Sequence, residues 1–330
     1  MVSHYDAPDP VVAGRSNVQT RKLLHGRLWR CHSMLQYQAA ADAIFYPGGS
    51  WFDDWGRRLR RLTGQRVPVV ATLEGLLGEA DREREYSGWA KHPVYCQAVD
   101  PKSIRRMDAL YQQADHVIAI SPFLAQMGRR RYGDKFSVIS LGIDHATFFP
   151  PDRPQCTQRL KVISVGNLKP GKRPEMFAEL AKRHSEVDFV WYGGHASTEL
   201  TTFQSLANTF SNLSFPGNLQ PKELAEAFRD ADLFVMPSRS EGVPKVTQEA
   251  AACGLPIVLF GYYEAPSVID AQNGFIVWDD DQFYARVNEL LANPRLRTRM
   301  GNEGAAIAKQ WSWDIVAPLW EAQILEVVNQ

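Results

Sequence analysis

The 330-residue chain lacks a net charge of either sign: 37 Lys and Arg balance 37 Asp and Glu. A nucleic-acid-binding surface normally carries a basic excess, so bulk charge gives that function no support. Cysteine is scarce. Cys31, Cys96, Cys156 and Cys253 are the only four, and none sits in a Cys-x-x-Cys or Cys-x-x-His pair. That spacing excludes the common zinc motifs, and the scarcity fits a reducing compartment better than a disulfide scaffold. No apolar run reaches the ~18 residues of a membrane span. The opening "MVSHYDAPDPVVAGRSNVQT" has no apolar signal core. These two absences predict a cytoplasmic protein. Internal repeats and low-complexity tracts are absent too. No Gly-x-Gly-x-x-Gly follows any predicted strand, which disfavours a dinucleotide-dependent dehydrogenase.

What is present is the material of a large core. Hydrophobic residues make up 45% of the chain and charged residues 22%, as in soluble globular proteins. The length suits one large domain or two medium ones. Charge is distributed unevenly, with 20 basic against 15 acidic residues in 1–150 and 17 against 22 in 151–330. Two halves of opposite sign suggest two domains with different partners, or simply different surfaces.

Short apolar runs ending in glycine alternate with amphipathic stretches. In the second half, strands are predicted at 160–166, 188–194, 232–237, 255–260 and 273–278, with helices at "PEMFAELAKRH", "PKELAEAFRDA", "PKVTQEAAACG", "DQFYARVNELLA" and "PRLRTRMGNEGAAIAKQ". The first half has the same rhythm, with strands at 42–49, 67–75, 115–121 and 136–142. Helices are predicted at 18–40 and 101–114. Alternation of this kind predicts parallel sheets covered on both faces, with ligands at the carboxyl ends of the strands. "GIDHATFFPPDRP" (142–154) breaks the periodicity with three prolines and reads as a linker. The expected layout is therefore α/β, with two Rossmann-like domains and a ligand cleft between them. Residues 1–150 form the first domain and 151–311 the second.

The densest stretch is "PSRSEGVPKVTQEAAACGLPIV", residues 237–258. Pro244 suits an early helical position, so a helix is predicted to begin near Gly242 or Val243. The unpaired N–H groups of its first turn make a ready phosphate site, and Gly242 leaves room for close approach. Lys245 either adds a charge there or sits in solvent. Glu241 precedes the helix. A carboxylate is a poor phosphate ligand but accepts two hydrogen bonds well, which suits the vicinal hydroxyls of a sugar. Glu249, inside the helix, suits a second diol such as a ribose. A nucleotide-sugar uses all three elements. The plain alternatives are a helix-dipole carboxylate for Glu241 and a solvated residue for Glu249. However, a glutamate among "QEAAACG" needs a partner if it is buried.

These residues resemble the Glu-x7-Glu signature of retaining glycosyltransferases of family 4, which have the GT-B fold. "ISVGNLKPGKRPEMFAELA" looks like that family's strand, diphosphate loop and helix. "QADHVIAISPFLAQMGRRRYGDKFSVISLGIDHATFFP" looks like the end of its N-terminal domain. "WSWDIVAPLWEAQILEVV" looks like its last helix, which crosses back so that 312–330 completes the first domain. The likeness covers about residues 105–330.

The resemblance implies transfer of a hexose from a UDP- or GDP-linked donor to a glycan, lipid-linked or small-molecule acceptor. It implies retention by front-face attack, with no metal and no cofactor. The second domain would hold the donor through Gly166, Asn167, Lys172, Arg173, Ser238, Glu241, Gly242, Val243, Pro244, Lys245, Val246 and Glu249. Lys172 would stabilise the leaving diphosphate, Glu241 would contact the transferred sugar, and Glu249 would bind the ribose. Glu74 stands where the family often has a histidine, and could orient the acceptor or sugar. Asn167 replaces a usual arginine, which shifts weight onto Lys172 and Arg173. Against the family pattern the first strand–helix unit is missing or replaced, so the N-terminal domain is expected to be shortened, with "YPGGSW" (46–51) lining the cleft instead.

Two further features stand apart. In "WFDDWGRRLRRLTGQ" (51–65), Trp51, Trp55, Leu59 and Leu62 share a helical face, and Arg57, Arg58, Arg60 and Arg61 lie elsewhere. Such a helix either packs its aromatic face on the sheet or lies on an anionic membrane, giving peripheral contact at the inner face. "GRRRYG" (128–133) either adds to a basic patch or is solvated. Two other functions stay open: a nucleotide-sugar epimerase of the same fold, and a non-catalytic nucleotide-sugar-binding protein.

Overall fold

The computed structural model describes residues 2–3, 21–22, 42–46, 64, 67–75, 101–152, 159–194 and 208–330. Among the described residues, two large parallel sheets stand beside one two-stranded pair. In the first, β1 (Ile44–Tyr46), β2 (Val69–Leu73), β3 (His116–Ala119) and β4 (Phe136–Val138) lie in sequence order. Helix α1 (Pro101–Gln113) precedes β3, and α2 (Pro122–Tyr132) follows it. Every residue of "VVATL" in β2 is buried, as expected of a strand covered on both faces. Helix α2 begins where Ser121 Oγ accepts the Leu124 N–H at 3.2 Å, with Pro122 in the first turn.

The second sheet contains β5 (Lys161–Val165), β6 (Asp188–Tyr192), β7 (Leu213–Gly217), β8 (Leu233–Met236), β9 (Ile257–Phe260) and β10 (Gly274–Val277). Its strand order is β10-β9-β8-β5-β6-β7. The chain therefore winds outward in one direction from β5, returns to β8, and winds the other way. The crevice at the β5/β8 reversal is where sheets of this kind bind ligands. Helices α3 (Pro174–Arg183), α4 (Pro221–Arg229) and α5 (Lys245–Ala252) connect strands, and α6 (Asp280–Ala292) and α7 (Pro294–Ala308) follow the last one. Their starts are chemically marked. Glu223 closes a capping box on the Gln220 N–H at 2.7 Å, and Asp279 caps α6 through the Gln282 N–H at 2.7 Å.

Strand β7 has no counterpart in the sequence reading. "LSFPG" holds a proline and a glycine, which read as turn punctuation. The structure places it at the sheet edge, where a proline costs no ladder hydrogen bond. Near the N-terminus, Arg21–Lys22 pairs in parallel with Val2–Ser3, so a helix over 18–40 does not run through those two residues. The rest of that stretch, the expected shortening, the amphipathic run up to residue 63 and "PGGSW" lie outside the described residues. The arginines of "GRRRYG" end α2. Arg129 meets Asp134 at 3.3 Å and Arg131 meets Asp108 at 2.9 Å, so these charges are locally offset. Among the described residues, no helix is long and apolar enough to cross a membrane.

The last helix, α8 (Trp313–Val328), returns to the first sheet. Val316 and Val327 join Val70, Ile118 and Ile139 in one buried cluster. Each such valine contributes roughly 1.5–3 kcal/mol by burial. The Trp320 indole N–H donates to the Ser140 carbonyl at 3.0 Å, and its ring meets Phe45 edge-on. Beside it, the Ile143 N–H donates to the Trp311 carbonyl at 2.7 Å, and Ile143 bridges Ser312. The linker and the returning chain therefore cross side by side, and "GID" is not a free tether.

Strand ends in the second sheet are held at unusually close range. A Cβ on Gly193, whose φ is 152°, would lie 2.0 Å from the Gly166 carbonyl oxygen. Backbone cannot yield as a side chain can. Gly193→Ala is expected to destabilise the protein by about 1–3 kcal/mol in urea titrations, and wild-type stability in this variant would contradict the close approach.

Candidate active site

The loop after β5 carries the first functional group. Gly166 has φ 152°, and a Cβ there would sit 3.4 Å from the Lys172 Cε. The lysine stem thus lies over the glycine backbone. A 3-10 turn at Pro170–Lys172 turns the ammonium group toward the loop after β8, where Lys172 Nζ pairs with Glu241 Oε1. The two loops are also joined through backbone, since the Arg239 N–H donates to the Gly171 carbonyl at 3.1 Å. Ser238 is buried beside them. The Glu241 side chain is only 12% exposed and that of Lys172 23%. The pair is therefore substantially removed from water, where loss of either partner is costly.

Arg173 follows at once, in the left-handed region (φ 54°) and 4% exposed. Its guanidinium pairs with Asp280 at the start of α6 and lies 5.3 Å from the centre of the Phe260 ring. Nη1 has no hydrogen-bond partner among the described residues. The structure thus engages Arg173 on Asp280, and Lys172 is the cation that reaches Glu241. A strained, buried arginine beside the site lysine holds that loop in one conformation. Asn167 Oδ1 and the Asn218 amide both converge on Gly194, each 3.2 Å from where a Cβ would stand.

The stretch after Glu241 corrects the predicted helix start. Pro244 is the residue before the helix, with φ −74° and ψ 99°, and α5 starts at Lys245. Gly242 also serves a contact that the sequence did not signal. A Cβ there would meet the Glu74 carbonyl at 2.5 Å and the Gly75 Cα at 3.0 Å. Glycine is required because the two domains touch at this point through backbone. Val243 packs on the core of the first sheet. Pro244 makes no side-chain capping bond to α5, and the Thr247 hydroxyl donates to the Pro244 carbonyl at 2.7 Å. The start of the helix is left open for another acceptor.

Glu249 lies on α5, one turn after Lys245, and the two charges are 3.6 Å apart. Burial raises the Glu249 pKa above its usual range, and Lys245 pulls it partly back. The alanine-rich helix leaves its glutamate partly buried, and Lys245 and Val246 lie in the same first turn. Across the domain junction, Glu74 is exposed and accepts the Thr72 hydroxyl at 2.7 Å. Its backbone is the part that meets Gly242.

One further segment was not singled out in the sequence. "GYYEAP" (261–266) follows β9, and Glu264 Oε2 accepts the Phe123 N–H in the first turn of α2 at 3.0 Å. This is a second junction between the domains, with a carboxylate on a helix N-terminus. The available signal was positional: a strand end beginning with glycine and carrying an acid, like the one at Glu241.

Solved structures define the fold class. Sucrose-phosphate synthase from Thermosynechococcus elongatus superposes with a TM-score of 0.78 at 20% identity, covering 99% of this chain and 88% of that one. HepE of Anabaena in complex with UDP-glucose gives 0.75 at 16% identity, covering 93% and 86%. Two parallel-sheet α/β domains joined in this way are the GT-B fold.

Sequence narrows the class to a family. The model for glycosyl transferases group 1 matches residues 149–306, and that for glycosyltransferase family 4 matches residues 7–147. The GDP-mannose-dependent monoacylated alpha-(1-6)-phosphatidylinositol monomannoside mannosyltransferase of Corynebacterium glutamicum is 33% identical, covering 77% of this chain and 72% of that protein. D-inositol 3-phosphate glycosyltransferase of Segniliparus rotundus is 30% identical over 76% of this chain, a match that spans 59% of the relative. The chain belongs to the family 4 glycosyltransferases.

The pKa of Glu249 sets a stability test. A carboxyl whose folded pKa is raised costs stability as pH rises from the unfolded glutamate range through the folded value. Glu249→Gln is therefore expected to raise the melting temperature of the ligand-free protein at pH 7.5 by roughly 1–3 °C, with no gain near pH 4. Differential scanning calorimetry at both pH values checks this.

Proposed function

We propose that the chain transfers a hexose from a UDP- or GDP-linked donor to a glycan, lipid-linked or small-molecule acceptor. The anomeric configuration is retained, and no metal takes part. The observation that carries this reading is the Lys172–Glu241 pair, held at the β5/β8 reversal beside the open start of α5. A cation, a row of backbone N–H groups and a carboxylate in one place suit a diphosphate bonded to a sugar.

In the proposed reaction the diphosphate occupies Lys172 and the first turn of α5. Glu241 accepts hydrogen bonds from the sugar, and Glu249 accepts them from the ribose. The bond between the anomeric carbon and the diphosphate oxygen breaks while the acceptor hydroxyl oxygen bonds to that carbon on the same face. The acceptor proton passes to the leaving phosphate oxygen. Lys172 stabilises the negative charge as it develops. Glu74 stands on the first-domain side, where an acceptor hydroxyl would approach. Residence in the cytoplasm, with peripheral membrane contact through residues 51–65, belongs to the same proposal and rests on the basic amphipathic pattern of that segment.

The test is nucleotide release from a panel of UDP- and GDP-linked sugars, with and without EDTA. One donor is expected to be hydrolysed slowly, at a rate EDTA leaves unchanged. Lys172→Ala and Glu241→Gln are expected to lower kcat by about 100-fold or more, while Glu249→Ala raises the donor KM roughly 10-fold. Conversion of donor to an epimer, or binding without turnover, would replace the reading with an epimerase or a binding protein. Loss of activity in EDTA would remove the metal-independent mechanism.

A further inference from the structure

Helix α2 of the first domain is capped from both domains. Pro122 has no N–H to satisfy. Ser121 serves two later donors: its hydroxyl accepts the Leu124 N–H at 3.2 Å, and its carbonyl accepts the Ala125 N–H at 3.0 Å. The Phe123 N–H goes instead to Glu264 Oε2 of the second domain, at 3.0 Å. A helix start carries partial positive charge, so a carboxylate is a strong acceptor for it. This contact exists only while the two domains stand together.

The loop that carries Glu264 is anchored on its own side. The Val268 N–H donates to the Ala265 carbonyl at 2.9 Å, and the Asn273 amide donates to the Ser267 carbonyl at 2.7 Å. From Ser267 a relay runs to the start of α5. The Ser267 hydroxyl donates to Thr247 Oγ1 at 2.7 Å, and the Thr247 hydroxyl donates to the Pro244 carbonyl at 2.7 Å. Ser267 and Thr247 are both fully buried, so neither bond can be traded for one to water, and breaking either is costly. Two of the domain contacts therefore converge on one turn. Gly242, just ahead of Pro244, meets Glu74 and Gly75 through backbone and sets the limit of approach. Glu264 supplies an attraction that draws the domains to that limit.

We propose that Glu264 is a positioning residue for the transfer: its carboxylate clamps the start of α2 to the loop that the Ser267–Thr247 relay ties to the start of α5, and so fixes the first domain over the donor site. Glu264 touches no reacting atom, and no covalent bond changes. The inference rests on the start of α5 binding the donor. A group that aligns the two halves of a site acts on kcat and leaves binding to one half nearly unchanged.

The experiment compares wild type, Glu264→Ala and Glu264→Gln by amide hydrogen exchange, by calorimetric titration with UDP and GDP, and by hydrolysis of the accepted nucleotide-sugar. In Glu264→Ala, exchange at Phe123 is expected to rise about 10-fold, while Leu124 and Ala125, held by Ser121, keep their protection. The same variant should lower kcat about 10-fold or more and change nucleoside diphosphate affinity less than about 2-fold. Glu264→Gln keeps an oxygen acceptor of the same reach and should bring both exchange and kcat to within about 3-fold of wild type. Equal losses of kcat and affinity overturn the inference, as does unchanged exchange at Phe123, or a glutamine variant that restores one readout without the other. If the wild type neither binds these nucleotides nor hydrolyses a donor, the donor reading falls and takes this inference with it. Wild-type binding and turnover together with an unchanged kcat in Glu264→Ala remove the inference alone.

Discussion

The site is organised around one largely desolvated ion pair, Lys172 with Glu241. Lys172 is the cation that the loop after β5 brings to the reversal point, and in the empty protein Glu241 holds it. Everything nearby serves to set that pair. Gly166 turns the backbone at φ 152° under the lysine stem, Gly193 lets β6 end against the same backbone, and the Arg239–Gly171 hydrogen bond joins the loops. A pair so poorly solvated is not there for stability, since burial of two charges consumes most of what their attraction returns.

The second constraint is the junction between the domains. Three sets of contacts make it: Gly242 against Glu74 and Gly75, Glu264 on the first turn of α2, and α8 returning alongside the linker. The first two lie on the same loops that carry Glu241 and Tyr263. The Lys172–Glu241 pair and the domain contacts thus share loops, and a shift at one is felt at the other because close backbone contact leaves little slack.

Much of this was legible in the chain. Apolar runs ending in glycine and followed by amphipathic helices specify parallel strands, because each strand must be covered on both faces and each crossover needs a helix. The sequence failed where local chemistry and position in the sheet disagree. Pro216 marks a turn in the sequence and an edge strand in the structure, because only the finished sheet shows which strand lacks a neighbour. Pro244 reads as a first-turn residue, yet it stands just outside the helix, where its carbonyl serves the Thr247 hydroxyl. The amphipathic run beginning at Trp51 lies mostly outside the described residues, and its facing stays a matter of pattern alone.

What the sequence by itself determined is the set of parts: the alternation that makes two sheets, the glycines at strand ends, and the acids at 241 and 249 around a helix start. These follow from periodicity and residue chemistry, which act over a few neighbours. Only the tertiary structure decided what the parts do to one another. It placed Lys172 on Glu241, 69 residues apart, and engaged Arg173 with Asp280. It made Gly242 a point of domain contact and left the Tyr263 hydroxyl buried without a partner among the described residues. Pairings of that range depend on how two sheets and their loops converge, and no local property of the chain encodes that convergence.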